Sequence, residues 1–493
     1  MNKKYLVYLF KEHKIALIFF FAMYIGLALS PLLSIGSAMD GIVSYFTLAL
    51  GIMSGLSIFL LFVLPVLLFS NVHRRRSVDV YFALPVSRRD QLISNLIFIF
   101  LVAFGFFFIT SLVTYLLIGI GSISFVKFLI ILAFVAITFF IILVTNTVIY
   151  LLANNIFDGI VMIFAYLGIT ILINVTVATL VPFLFAGRTY EPIFTGIGIY
   201  ASPLYMSIAN LGSIFSLISA NPISINIPYF IVSILLAVLA CYGLKKEYID
   251  RPSERAEQLS DGFFAYPFII NIYAICILFM LSTGALSRYW KEYIVTYLML
   301  LICYVVATFV YRRKIQVKAS MLITFAVGVV ASILITAFCL QMKGFGYSYQ
   351  YNLKEGRELV YYYQATGSGN DISKEPNHSM TEPYDSDIAW IYFHLEIPTD
   401  ELDKYDDAIQ VLENKRKENI EAYYERRLDE LPNSNMSVSN YADDAHWNRL
   451  QYFNYDMYEL FTLDELKVIG KYCEVDIDVY GEVYTLDEYL ELE

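Results

Sequence analysis

The sequence predicts a polytopic α-helical membrane protein, of about nine transmembrane helices, carrying a C-terminal α+β soluble domain. Three observations lead there. The 493 residues are 58% hydrophobic and only 16% charged, against roughly 45–50% and about 25% in soluble chains. Long uncharged runs recur, and crossing ~30 Å of hydrocarbon at ~1.5 Å per residue takes about 20 residues. Finally, the charge changes abruptly after residue 341. The remainder holds 13 Lys+Arg against 33 Asp+Glu, although the whole chain carries only -11.

The uncharged runs cover 15–35, 43–70, 95–121, 128–153, 159–186, 227–244, 267–287, 293–310 and 319–341. Lys3, Lys4, Lys11 and Lys14 precede the first, which has spanning length and exceeds a signal-peptide core, so it reads as an uncleaved span. Lys and Arg accumulate in cytoplasmic loops. With the N-terminus inside, segments 1–14, 71–94, 154–158, 245–266 and 311–318 hold 17 Lys+Arg. The opposite short loops hold four: Lys127, Arg188, Arg288 and Lys291. Nine spans then put residues 342–493 outside the cytoplasmic membrane.

Residues 188–226 are too interrupted by Gly, Pro and Asn for an ordinary span and too apolar for a free loop. They read as an outer interfacial or re-entrant hairpin, since irregular backbone is tolerated at membrane depth where protein covers it. A tilted tenth span is the competing reading and would place the tail inside.

In the tail, "ELVYYYQAT" and "IAWIYFHLEI" read as strands. Residues 366–386 read as a Gly, Ser, Asn and Pro-rich loop, and 400–430 as a charged helix that stops before Pro432. Thr462 with Glu465, and Thr485 with Glu488, have capping-box spacing ahead of two short helices.

Catalytic signals are scarce. There is no phosphate-binding Gly-x-x-x-x-Gly-Lys-[Ser/Thr], no His-Glu-x-x-His and no Gly-x-Ser-x-Gly. His13, His73, His378, His394 and His446 are scattered, and none lies within a predicted span. Asp476–Asp487 partly echoes a calcium loop, but Tyr480 stands at the fifth position and a β-turn at Gly481 explains the pattern better. Five cysteines, with no C-x-x-C among them, suggest neither a disulfide framework nor zinc, so the metal expectation is none. The acidic tail excludes nucleic acid as a partner. Asp40, Lys127 and Asp158 sit at or beyond span ends. Ion-coupled transport normally needs a buried carboxylate, so any transport here would draw its energy from another chain.

The most informative stretch is the loop 71–94, "HRRRSVDVYFALPVSRRDQL" at its centre. Arg74, Arg75 and Arg76 are accounted for by orientation and anionic lipid. Ser77, Asp79, Tyr81, Leu84 and Pro85 follow as a polar-aromatic stretch, and Ser87 with Asp90 has N-cap spacing. The expectation is a short surface helix ahead of the third span, held by a Leu-Pro turn.

This stretch resembles the first cytoplasmic loop of bacterial ABC transporter permeases of the type-2 exporter class. The match runs through Ser77, Asp79, Tyr81, Leu84, Pro85 and Arg88. The resemblance extends to the basic N-terminal segment 1–14, similar to that family's amphipathic connecting helix, to the interrupted outer segment, and to Arg251, Glu254 and Arg255 of "RPSERAEQ". It covers about the first 260 residues. It implies a six-helix permease core over 15–244, with the extra residues 245–341 forming a cytoplasmic linker and three further spans. It also implies that loop 71–94 holds a coupling helix docking on a separate ABC ATPase subunit. Ser77, Asp79, Tyr81, Leu84, Pro85, Arg88, Arg89 and Asp90 would make that contact. This chain would bind no cofactor and be no enzyme; ATP and Mg would sit on the partner. A second permease copy or paralogue and the bilayer complete the expected partners. The usual permease has six spans and ends inside, so the three extra spans and the acidic outer domain depart from the pattern. The alternative is a membrane-anchored sensor or adaptor whose extracytoplasmic domain binds a ligand.

Overall fold

The computed structural model describes residues 3–29, 42–120, 123–187, 197–216, 218, 227–260, 262–287, 290–350, 357–366, 389–397, 402–426, 434–441, 451–457, 461–479 and 482–491. Outside them lie Asp40, Arg188, Arg288, His378, His446, most of the 366–386 loop, the turn at Tyr480 and Gly481, and parts of the expected outer hairpin.

The chain is mostly helical. Among the described residues, eight helices are long and apolar enough to cross a membrane, or nine if the bent pair of α1 (Lys3–Glu12) and α2 (Lys14–Leu29) counts as one span. The bend of 71° falls at His13, where polar Lys11–Lys14 separate an amphipathic helix from an apolar one. The others are α3 (Ile42–Phe69), α5 (Arg88–Thr114), α6 (Phe125–Leu152), α7 (Ile156–Leu184), α9 (Ile227–Leu244), α10 (Tyr266–Ala285), α11 (Trp290–Arg312) and α12 (Ala319–Gln341). Between α3 and α5 lies the short α4 (Arg75–Phe82), and α8 (Pro203–Ser216) lies within the segment expected as an outer hairpin. Each predicted run thus contains a helix, and α8, at 14 residues, is too short to be a tenth span.

The chain divides into two compact units. The first comprises Met1–Asn174, Ile193–Ala274 and Tyr304–Gln316. At its centre is α6, packed by α3, α5, α8 and α9. Several buried hydroxyls and amides in the spans bond backbone carbonyls or one another, as a hydrocarbon setting favours. Thr145 Oγ1 donates to the Ile141 carbonyl at 2.7 Å, Asn146 Nδ2 reaches the Leu61 carbonyl at 3.0 Å, and the Tyr24 and Ser57 hydroxyls meet at 2.6 Å. Asn210 of α8 donates to Ser233 of α9 at 2.9 Å, which fixes the short helix against a span.

The second unit comprises Val175–Pro192, Ile275–Cys303 and Val317–Glu493. Its tail builds a six-stranded antiparallel sheet in the order β4-β3-β1-β2-β5-β6. The strands are β1 (Arg357–Thr366), β2 (Ala389–Ile397), β3 (Ser434–Tyr441), β4 (Gln451–Met457), β5 (Val475–Val479) and β6 (Glu482–Thr485). In β2, Ile391, Phe393, Leu395 and Ile397 are buried while His394 is exposed, the period-2 alternation of a sheet with one covered face. Helices α13 (Asp406–Arg426), α14 (Leu463–Ile469) and α15 (Leu486–Glu491) complete the domain. Their Ile409, Leu412, Leu466 and Ile469 share a core with β2 and β5. Thr462 and Glu465 close a full capping box, and Thr485 and Glu488 exchange the same pair of bonds at 3.4 and 2.9 Å. The stretch that echoes a calcium loop pairs as the β5–β6 hairpin, with Asp476 opposite Thr485.

Candidate functional site: the arginine loop

The segment between α3 and α5 folds in three steps. A single turn, Ser70–His73, continues α3, and Arg74 then breaks the helix with extended backbone (φ −112°, ψ 120°). Helix α4 follows. Ser77 Oγ donates back to the carbonyls of Asn71 and Arg74 at 3.1 and 3.2 Å, which ties the start of α4 to the break. Val78 points inward and is buried, while Asp79 and Val80 face out. The chain turns through Ala83–Val86, where the Val86 amide bonds the Leu84 carbonyl across Pro85 at 2.7 Å. Ser87 then caps α5. Its Oγ accepts from the Asp90 amide at 3.1 Å and donates to the Asp90 carboxylate at 3.0 Å.

The order differs from the sequence expectation. The short helix precedes the Leu-Pro turn, and the Ser87 cap opens the third span itself. Proline at 85 cannot supply an amide to extend α4, whereas Ser87 supplies an oxygen to begin α5. One turn therefore ends one helix and starts the next.

Two side chains brace the turn from beneath. Gln91 is buried, and its Nε2 donates to the carbonyls of Tyr81 and Val86 at 3.0 and 3.1 Å. It thereby satisfies the end of α4, whose last carbonyls lack helical partners. Arg88 lies with its guanidinium 3.7 Å over the Phe82 ring. Its Nη1 donates to the carbonyls of Ile249 and Arg251 at 3.3 and 2.7 Å. Arg88, expected to face a partner, is spent on holding the loop to the segment after α9.

That segment is itself anchored. Arg251 is only 1% exposed. It donates to the carbonyls of Leu151 and Ala153 at 2.8 and 3.1 Å and to Asn154 Oδ1 at 2.9 Å. Burial lowers its pKa to about 10, with neighbouring Arg255 adding to the effect and Glu247 opposing it. It therefore stays charged at neutral pH. Asn154 in turn donates to the Leu259 carbonyl at 2.7 Å and accepts from the Glu257 amide through its own carbonyl at 2.8 Å. Arg75 Nε bonds the Ala256 carbonyl at 3.0 Å. Arg313 reaches Asp158 at 3.6 Å, and Tyr266 donates to Asp158 at 3.2 Å. Four of the five segments expected on the cytoplasmic side, the basic 71–94, 245–266 and 311–318 and the uncharged-to-acidic 154–158, thus meet at one end of the first unit. The fifth, α1, packs Phe10 on Phe98 of α5 with ring centroids 4.8 Å apart.

No family model, curated protein or solved structure matches the chain. The site therefore stands on its own geometry.

Outward from this frame point Arg74, Arg76, Asp79, Val80, Leu84, Pro85 and Arg89; Tyr81 and Asp90 are half-buried. Val80 is 63% and Leu84 38% exposed. Val80 lies in the last turn of α4, and Leu84 in the non-helical turn that follows it. The sequence reading singled out Leu84, named Arg251 only through the resemblance, and missed Val80 and Gln91. Arg251 acts by reaching carbonyls about 100 residues away in sequence, and no local pattern reports that. No group of three or more His, Cys, Asp or Glu side chains able to hold a metal occurs among the described residues.

Proposed function

We propose that this chain is the membrane subunit of an ATP-driven ABC transporter, an exporter, coupled through loop 71–94 to a separate ATPase. The observation that carries the reading is a loop that exposes the apolar Val80 and Leu84 together with Arg76, Asp79 and Arg89 and is braced by Gln91 and Arg88. A few apolar anchors surrounded by charge are what a transient protein interface uses. A free loop that only oriented the bundle would need no such bracing. Val80, Leu84 and Pro85 fill the partner's groove; Arg76, Asp79 and Arg89 set its register. Arg88, Ser77 and Gln91 hold the helix in place. The arginine-rich end then faces the cytoplasm, nine spans cross the cytoplasmic membrane, and the acidic α+β domain lies outside. A second permease copy or a paralogue pairs with the chain.

The test is co-purification from the native membrane with the partner identified by mass spectrometry. The wild-type chain brings down a P-loop ATPase, and a normally folded Val80→Asp/Leu84→Asp variant does not. Retention of an ATPase at wild-type level by that variant, or absence of any ATPase from the wild-type complex, rejects the reading.

A further inference from the structure

The end of α7 within the second unit is finished by another part of the chain. The last four carbonyls of a helix have no intrahelical partner and are ordinarily met by water or a capping turn. In α7 all four are accounted for. The Phe185 amide bonds the Val181 carbonyl at 2.9 Å. The Tyr423 hydroxyl donates to the Pro182 and Phe183 carbonyls at 2.8 and 3.0 Å, and the Tyr424 hydroxyl donates to that of Leu184 at 3.0 Å. Tyr424 also accepts from the Ala186 amide at 3.4 Å. These contacts join positions about 240 residues apart in sequence.

The surroundings are built to the same point. Ala186 belongs to the buried core of the tail domain, together with Tyr423, Leu466 and β2. The connector after α12 passes so close that a Cβ on Gly344 (φ +58°) would lie 2.7 Å from the Tyr424 oxygen and 2.9 Å from the Leu184 carbonyl. Arg416, about two helical turns before the tyrosines on α13, donates to the Ser348 carbonyl at 3.0 Å. Phe185 packs edge-on against Tyr347 with ring centroids 5.4 Å apart. A domain that was merely tethered by 342–350 would need none of this.

We propose that Tyr423 and Tyr424 form a clasp through which the acidic tail domain sets the position of the end of span α7, making the tail a conformational input to that span. The clasp operates whatever drives the bundle, so it does not depend on the ATPase reading. Tyrosine suits the task because its ring is buried in the domain while the hydroxyl reaches past it to the helix end. Two hydroxyls on consecutive residues bond three consecutive carbonyls, so displacement of α13 must either carry the helix end along or break charge-free hydrogen bonds in a buried site.

The experiment is hydrogen–deuterium exchange on the full-length protein in nanodiscs, followed over residues 181–187. Tyr423→Phe/Tyr424→Phe keeps both rings and removes both hydroxyls; exchange there is expected to quicken about tenfold, the scale of one to two lost buried hydrogen bonds. Gly344→Ala, which crowds Tyr424 without touching the tyrosines, is expected to do the same. Transmission is read by perturbing the tail elsewhere. Leu466→Ala, or the milder Ile469→Val should the first unfold the domain, quickens exchange at 181–187 in the wild-type background. It adds little in the double-phenylalanine background, because the connection is already broken. Unchanged exchange in the double-phenylalanine variant overturns the clasp. An equal effect of the tail substitution in both backgrounds overturns transmission through it.

Discussion

Arg88 Nη1 lies 2.7 Å from the carbonyl oxygen of Arg251, so the first turn of the third span and the loop after the sixth are held together by two arginines in series. Arg88 holds the backbone at 251, and the Arg251 side chain holds the carbonyls of 151 and 153. The arrangement makes a distinct prediction for each. Arg251→Leu leaves two buried carbonyls and an amide oxygen without donors, a loss on the order of 3 kcal/mol. Arg251→Lys restores charge without the planar fork that spans three acceptors, and is expected to recover less than half. Arg88→Met, at a half-exposed site where the Phe82 contact is kept, costs about 1 kcal/mol. Thermal unfolding in detergent, followed by tryptophan fluorescence, should rank the three in that order.

The two faces of α4 should respond oppositely. Val78 is 2% exposed, and Val78→Ala removes packed methyl groups, costing roughly 1–2 kcal/mol of stability. Val80→Ala removes little that touches the chain itself and leaves the melting temperature unchanged, while Leu84→Ala, at a side chain 38% exposed, lowers it slightly. Their effect should fall on retention of the partner, by more than about 1 kcal/mol if they are the anchors of the interface. Melting curves and pull-down yields on the same preparations separate the two.

How much of this could be read in advance varies with the range of the interaction. The spans were legible because ~20 apolar residues in a row have few alternatives to a membrane helix. The caps at Thr462, Thr485 and Ser87 were legible because donor and acceptor are three residues apart. The strand β2 was legible from its aromatic and β-branched content. The order of helix and turn in the arginine loop was not legible, since α4 opens at Arg74 without a side-chain cap and is tied down by the side chains of Ser77, Gln91 and Arg88, which no local cap pattern announces. Tyr423 and Tyr424 were invisible for a simpler reason. They lie in a charged helix whose aromatic content suggests nothing beyond core packing, and their partners are about 240 residues away.

The capping box of α14 offers a direct test of the tail. Thr462 Oγ1 accepts from the Glu465 amide at 3.4 Å, while Glu465 accepts from the Thr462 amide at 2.7 Å and from buried Lys415 Nζ at 3.1 Å. Thr462→Ala removes one arm and should cost about 1 kcal/mol. Glu465→Ala removes the second arm and also the 3.1 Å ion pair with buried Lys415, so the greater loss is expected there. Limited proteolysis of the full chain, scored by the cleavage rate between 461 and 473, would order wild type, Thr462→Ala and Glu465→Ala from slowest to fastest.

Cys473 supplies the pH dependence. Burial raises its thiol pKa to about 11, against about 8.5 in an unfolded chain. Between those values the folded tail keeps a proton that the unfolded tail releases. The folded state therefore binds more protons, and stability falls as pH rises across that window. Below about 8.5 both states are protonated and the thiol contributes no slope. Two outcomes follow in the full-length protein. Alkylation of Cys473 at pH 8, followed by peptide mass spectrometry, is much slower than for the same residue in urea, because little thiolate exists in the fold. Tail stability measured by exchange at 463–479 declines from pH 9 towards pH 11, and Cys473→Ser flattens that decline. A Cys473 that reacts in the fold as fast as in urea would falsify the buried thiol.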